Sequence, residues 1–506
     1  MLNLLKAATT AVLLTVTAGA AAQPYVLLEA VRDGDGRPVT QSGADGVRLP
    51  VLKRAGATPL VAAINRVLAT GFAARIPAID AAARRAGRDT SCAGLPAALL
   101  IHLSDEDGGY ARQGFVLADA DGRTAPCRDH FIDITADEAS VASGEFEEVL
   151  AHEWGHVLLR RVWGPVPPTP SRKFHSVRTV TDPVTAFDEG FGAHFQPLSA
   201  RLTETPGYRA RVEGTLEPRL AEAWFSRQET WARQALVPQN RFVFDKPTPA
   251  PGSVYDRWQA DEASLDLDPC RLRSGAQMVA SEGVTAAFFH KLLATEPATV
   301  EDRYRQLIEV LRRIGDWPTD GPAILTLVRA WGETFPPERE AVTKLFLGVT
   351  HGSTASAEAG RLAEKVTCAG AAGDIQAFLG AREAAQAARD RLLADVLAGR
   401  VAPGAAVGPQ LWVASAGTRV PAAPWQGKRD RLAVVDLNTA REAELELAFE
   451  GTPLAGSAAA IVAARRAGDF LDLRDAARRS SLGEAGLRQL RAAADAFARA
   501  GYAVRQ

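Results

Sequence analysis

Two histidines and a glutamate in His152-Glu153-Trp154-Gly155-His156 are the residues of this chain best placed to do chemistry. On a helix, positions i and i+4 stand one turn apart on the same face, so both imidazoles can reach one divalent cation. Glu153 follows the first histidine directly, where its carboxylate can act as general base toward a water sharing that cation. A third donor is available in Asp188-Glu189-Gly190-Phe191-Gly192-Ala193-His194. It places Glu189 33 residues beyond His156, after a proline-rich turn able to double the chain back. Gly155, Gly190 and Gly192 have no side chains and would let the two segments approach closely. The expected ligands are therefore His152, His156 and Glu189, the expected ion is Zn2+, and Glu153 is the expected catalytic residue.

Positioning these groups requires two helices. The first is expected from about Glu145 to Trp163, stopped by Gly164-Pro165, and its apolar residues Phe146, Val149, Leu150, Val157 and Leu158 imply burial. A buried His-Glu-His cluster without a partner would be costly, and a metal resolves that cost. The second helix is expected from about Val184 to Leu202, with Pro197 a kink or early stop. His194, five residues past Glu189, points about 140° away on an ideal helix and reads as structural. His175, in the connection, is a candidate substrate contact. Asp188 reads either as a partner that orients a ligating histidine or as a solvated cap.

Upstream, the short apolar runs Ala98–Leu103, Gly114–Leu117 and His130–Thr135, separated by Asp/Gly-rich turns, predict a small sheet. Helices are expected around Leu60–Leu68 and Ile76–Ala83. Beyond Glu204 the texture is mostly helical, and Gly399–Pro424 has the Ala/Gly/Val/Pro composition of a linker. The N-terminus, Met1-Leu-Asn-Leu-Leu-Lys6 followed by an apolar stretch and Ala20-Ala21-Ala22, has the layout of a secretory signal peptide. Export to a secreted or periplasmic fate favours disulfides, and the four cysteines allow three pairings. Proximity favours Cys92–Cys127 and Cys270–Cys368.

With 506 residues, 47% of them hydrophobic, and a formal net charge of −2, the chain is neither disordered overall nor basic enough for a nucleic-acid coat.

The His-Glu-Trp-Gly-His motif followed by Glu189 in an Asp-Glu-Gly-Phe-Gly-Ala context resembles the gluzincin metallopeptidases, over about Ala97 to Leu202. In that family the third ligand is a glutamate on the next helix. The elongated metzincin motif would need glycine and histidine where Leu159 and Val162 stand. The resemblance implies an α+β fold: a zincin-like catalytic domain with a small sheet and an active-site helix. It also implies that Phe131–Thr135 is the edge strand for an extended peptide or protein substrate. Tyr255, 66 residues after Glu189, lies at a separation similar to that at which the family places a tyrosine or histidine that stabilises the oxyanion.

The tail reads Val435-Asp-Leu-Asn-Thr-Ala440, Ala458–Arg465, Gly468-Asp-Phe-Leu-Asp-Leu-Arg-Asp475 and Ser481-Leu-Gly483. It resembles the helix-hairpin-helix domains of the bacterial competence DNA-uptake receptor. Its turns depart from that pattern, with Gly451-Thr-Pro-Leu-Ala-Gly456 in one and Ser481 in place of glycine in the other. Residues 431–506 carry eleven arginines against ten acidic residues, so net attraction for DNA is nearly absent. The reading favours a small all-α packing or protein-contact module over a DNA-binding one.

The expected organisation is thus a signal peptide at 1–22, a zincin-like domain at 23–300, an α-helical region at 301–398, a linker at 399–430 and the C-terminal unit at 431–506. The expected activity is exported zinc-dependent peptide hydrolysis. Its rivals are a non-catalytic binding protein on the same scaffold and a DNA-binding protein acting through the tail.

Overall fold

The computed structural model describes residues 24–43, 46–86, 92–105, 108–169, 175, 180–215, 272–293, 299–420 and 431–499. It is a mixed fold of helices and strands. The N-terminal part holds strands β1 (Tyr25–Ala30), β2 (Thr40–Ser42), β3 (Arg48–Arg54), β4 (Leu99–Ser104), β5 (Gly109–Ala118) and β6 (Thr124–Thr135), with helices α1 (Pro59–Leu68) and α2 (Ile76–Ala86) between β3 and β4. The sheet order is β1-β4-β6-β5-β3-β2, and β1 also pairs with β3, so five of the six strands close on themselves. Alternation along the strands separates two cores. Leu28, Leu52, Leu100, Phe115 and Phe131 pack together on one face, while Leu27, Ile101, Ile132 and Ile134 face the helices.

The three expected strands are present as β4, β5 and β6. The first three strands were not expected: β2 is wholly exposed, and polar hairpin residues hide the pattern. Phe131–Thr135 is not an edge strand. It pairs in parallel with β4, Leu100 to Ser104 opposite Phe131 to Thr135, and antiparallel with β5, where Gly109 lies opposite Ile134. Side-chain alternation reports the faces of a strand, whereas its neighbours lie in the sheet plane and leave no trace in that pattern.

Helix α3 (Glu138–Ser143) turns through Gly144, at φ +80°, into α4 (Glu145–Trp163). Trp154, Val157, Leu158, Leu159 and Trp163 make α4 the centre of the main core. Its C-terminal turn is clamped by a balanced set of charges. Arg161 reaches Asp80 at 2.6 Å and Asp129 at 3.1 Å, and Arg84 reaches the same two acids at 2.9 and 2.7 Å. Buried ions persist when each finds a partner in this way.

Helix α5 (Pro183–Ala193) starts with Asp182 accepting the N–H groups of Val184 and Thr185, and α6 (Phe195–Leu202) follows at once. The single helix expected over 184–202 is therefore broken at His194 rather than at Pro197. A proline ring collides with the carbonyl four residues back, here that of Ala193, so the interruption falls upstream of the proline itself.

Beyond α7 (Pro206–Thr215) come α8 (Gly275–Val279), α9 (Glu282–Leu293), α10 (Val300–Ile314), α11 (Ala323–Thr334), α12 (Arg339–Val349), α13 (Ala357–Ala371) and α14 (Ile375–Leu397). One apolar core runs from Tyr25 to Val349, so α10 to α12 share it with the sheet and with α4.

A separate core joins the C-terminal elements. They are β7 (Trp412–Val420), β8 (Arg431–Asp436), α15 (Glu442–Phe449), α16 (Ala458–Arg465), α17 (Leu473–Arg479) and α18 (Gly483–Phe497). This unit is not all-α, because β7 and β8 pair antiparallel. Residues 412–420, read as linker from their composition, form β7, a strand that exists only through its partner. Asp469 fastens the unit to the main body by accepting the N–H of Ala276 at 2.8 Å.

Cys92 and Cys127 form the expected disulfide. Cys368 is disulfide-bonded, and Cys270 lies outside the described residues, as do residues 1–22. Among the described residues no helix is long and apolar enough to cross a membrane.

Burial, reinforced by Arg161 for His130 and by Arg201 for His290, lowers both histidines to about 4. Between pH 6.5 and 4 the unfolded chain takes these protons and the folded chain does not. Stability from the pair is therefore full at neutral pH and is lost as pH falls through this window, by at most about 1.4 kcal/mol per pH unit per histidine. Urea denaturation at pH 7, 5.5 and 4.5 measures that slope, and His290→Gln should flatten it.

Candidate metal centre

Helix α4 carries His152 and His156 one turn apart, and α5 crosses it with Glu189. The two helices meet at glycine: a Cβ on Gly155 would lie 3.0 Å from the Gly192 Cα, and one on Gly192 would lie 3.0 Å from His156 Nε2 and 3.1 Å from His152 Nε2. With no side chain at either position, three donor atoms converge. His152 Nε2 and His156 Nε2 are 3.1 Å apart, and Glu189 Oε2 is 3.4 Å from each. Donors held about 2.0–2.1 Å from a tetrahedral ion stand about 3.3–3.4 Å from one another, so this triangle has the size a Zn2+-like ion requires. Glu189 Oε2 is buried and makes no well-directed hydrogen bond, as a ligand oxygen aimed at a cation would be. A Glu153 carboxylate oxygen lies within 4.8 Å of ligand nitrogens on both histidines.

The surrounding charges favour a cation. Asp188 Oδ1 is 2.9 Å from His156 Nδ1, which turns the Nε2 of that ring toward the triangle. Of the two sequence readings of Asp188, the structure shows the histidine partner. Burial opposes charge on His156, but Asp188 and then Glu189 outweigh it and hold the imidazole well above its ordinary range. Glu189 is held well below the usual carboxylate range by His175 and His156, against burial. His175 Nδ1 lies 3.3 Å from both Glu189 Oε2 and Glu282 Oε2, with its side chain 44% exposed. Desolvation works against its charge, yet Glu189 and Glu282 raise it to about 9.

His152, His156 and Glu189 thus come together as expected, with Glu153 beside them and His175 in contact with Glu189. His194 is directed elsewhere, its Nε2 2.7 Å from the Tyr304 hydroxyl, in agreement with its structural reading. Tyr255 lies outside the described residues.

Three contributors were missed in the sequence. Glu282, the first residue of α9, is buried against the site. Nothing in its local sequence separates it from an ordinary first-turn acid. Arg160 lies one helical turn beyond His156, and its Nη2 is 3.6 Å from Asp188 Oδ2; extending the i, i+4 spacing from His156 would have found it. Gly109 lets β5 lie against α4, because a Cβ there would come within 2.4 Å of Val149 Cγ1 and 3.0 Å of Glu153 Cγ. The Gly108-Gly109 pair was visible but read only as a turn.

No family model, curated protein or solved structure matches the chain.

Gly192→Ala is expected to push both imidazoles out of register and weaken Zn2+ binding by about 10–100-fold, the range for disturbed ligand orientation. Isothermal titration with Zn2+, with a thermal melt to verify folding, checks this.

Proposed function

We propose that the protein is an exported zinc-dependent peptide hydrolase with a zincin-like catalytic region. The observation that supports this most strongly is the triangle of His152 Nε2, His156 Nε2 and Glu189 Oε2 with the Glu153 carboxylate beside it. His152, His156 and Glu189 would hold the ion. Once bound, Zn2+ supplies Lewis acidity, polarising the scissile carbonyl and making a nearby water more acidic. Glu153 takes a proton from the attacking water as its oxygen bonds to the carbonyl carbon. It then returns that proton to the amide nitrogen as the C–N bond breaks, releasing an acid and an amine. Asp188 keeps His156 in the ligating orientation throughout. His175, held by Glu189 and Glu282 with its side chain 44% exposed, is the candidate contact for the substrate.

In this reading the substrate backbone docks on the edge of β5. The half of that strand from Gly109 to Gln113 pairs with β6 on one side, and among the described residues no strand pairs with it on the other. Such an edge accepts a peptide backbone as an added strand.

The C-terminal unit acts as a packing module. Arg465 donates to the carbonyls of Leu437 and Ala440, and Arg479 to those of Ala464 and Gly468. These arginines are spent inside the unit instead of being offered to phosphates, which favours packing over DNA binding.

Metal analysis and cleavage of a mixed peptide pool test the proposal. The purified protein should retain about one zinc and cleave, whereas Glu153→Gln should keep the metal and lose at least about 100-fold in rate. Full activity in Glu153→Gln, or a protein that takes up no divalent ion, overturns the reading.

A further inference from the structure

The edge of β5 is not equally open along its length. The Thr135 N–H donates to the Gly108 carbonyl, and Tyr110 and Arg112 lie opposite Asp133 and Phe131. In an antiparallel ladder the hydrogen-bonding residues alternate. Tyr110 and Arg112 therefore turn their backbone groups toward β6, while Gly109, Ala111 and Gln113 turn theirs toward the side on which, among the described residues, no strand pairs with them. At that edge the Arg160 Nη1 donates to the carbonyl of Ala111, and Nη2 of the same guanidinium lies 3.6 Å from Asp188 Oδ2. Asp188 in turn holds His156. Gly109, two residues back, lies against Glu153.

We infer that Arg160 is a specificity-determining residue: it seals the Ala111 carbonyl and confines backbone recognition of the peptide to the stretch of β5 around Gly109, beside the catalytic glutamate. A substrate strand can exchange two hydrogen bonds with Gly109, but at Ala111 it finds only the N–H. Further pairing toward Gln113 would have to cross the carbonyl that Arg160 already occupies. The substrate class is then short peptides or chain ends on that side of the scissile bond, not long extended polypeptides. The arginine cannot swing away freely, because Asp188 holds its other terminal nitrogen.

This inference rests on the peptide-hydrolase reading, and one experiment separates the two. Peptides lengthened one residue at a time, from either end, are titrated by fluorescence anisotropy against zinc-loaded Glu153→Gln protein, which binds without turnover. Affinity should rise with length in one series and stay flat, within about twofold, in the series that extends toward Gln113. Adding Arg160→Met should make the flat series rise by about three- to tenfold over two residues, the worth of one or two recovered hydrogen bonds, and leave the other series unchanged. Arg160→Lys, which keeps a donor in place, should retain the flat response. Metal content and melting temperature are measured for each variant, so a misfolded or metal-depleted protein is recognised, and Arg160→Gln then replaces Arg160→Met. Equal gains in both series before the substitution, or a flat series that Arg160→Met does not change, overturn the role of Arg160 alone. No binding at any length, together with no cleavage by the unsubstituted protein, overturns the hydrolase reading and this inference with it.

Discussion

The site depends on how closely two backbones can approach. Helices α4 and α5 cross where Gly155 meets Gly192, close enough that a Cβ on the first would be 3.0 Å from the Cα of the second. At ordinary helix separation the glutamate of α5 could not reach the same point as the two imidazoles of α4. This crossing is embedded in Trp154, Phe187, Phe191 and Phe195, all fully buried. The apolar surroundings strengthen electrostatic interactions inside the site and make any unpaired charge there costly. The donors therefore interact with one another far more strongly than they would at a surface.

The charges around α4 form two sets that use adjacent arginines. Arg160 and Arg161 are about 100° apart on the helix, so one reaches Asp188 and the β5 edge while the other enters the clamp with Asp80, Asp129 and Arg84. The last turn of α4 is thereby fixed on both flanks, once to the site and once to the scaffold. His156, one turn away and a ligand in the proposed site, inherits that rigidity, and narrow placement of donors is what a tetrahedral site needs.

The opposite wall is held from further away. Asp469 of the C-terminal unit accepts N–H groups from Ala276 and Gly408 and so fixes α8. The element that follows, α9, begins with Glu282, the carboxylate that meets His175. Gly190, next to the proposed ligand Glu189, lies so close to α9 that a Cβ would be 2.6 Å from the Glu282 carbonyl oxygen. The tail is thus mechanically continuous with the wall of the site, in keeping with arginines that cap its own carbonyls.

Much of this was legible in the chain itself. The i, i+4 histidines, the glutamate between them and the flanking apolar residues specify a buried helix with both imidazoles on one face, because helical periodicity is local and survives in sequence. The later glutamate among glycines could be singled out because a third ligand needs a close helix crossing. What the sequence could not contain was adjacency at a distance. Which strand is an edge, where Ala111 and Arg160 meet, and that Glu282 closes the wall depend on hydrogen bonds and contacts between segments far apart in the chain. Pairing partners and buried neighbours are chosen by packing, and no local pattern encodes them. Residue types and periodicity determined the candidate donors and their helix, and only the tertiary structure decided which strand edge lies beside them, because that surface forms when separate elements come together.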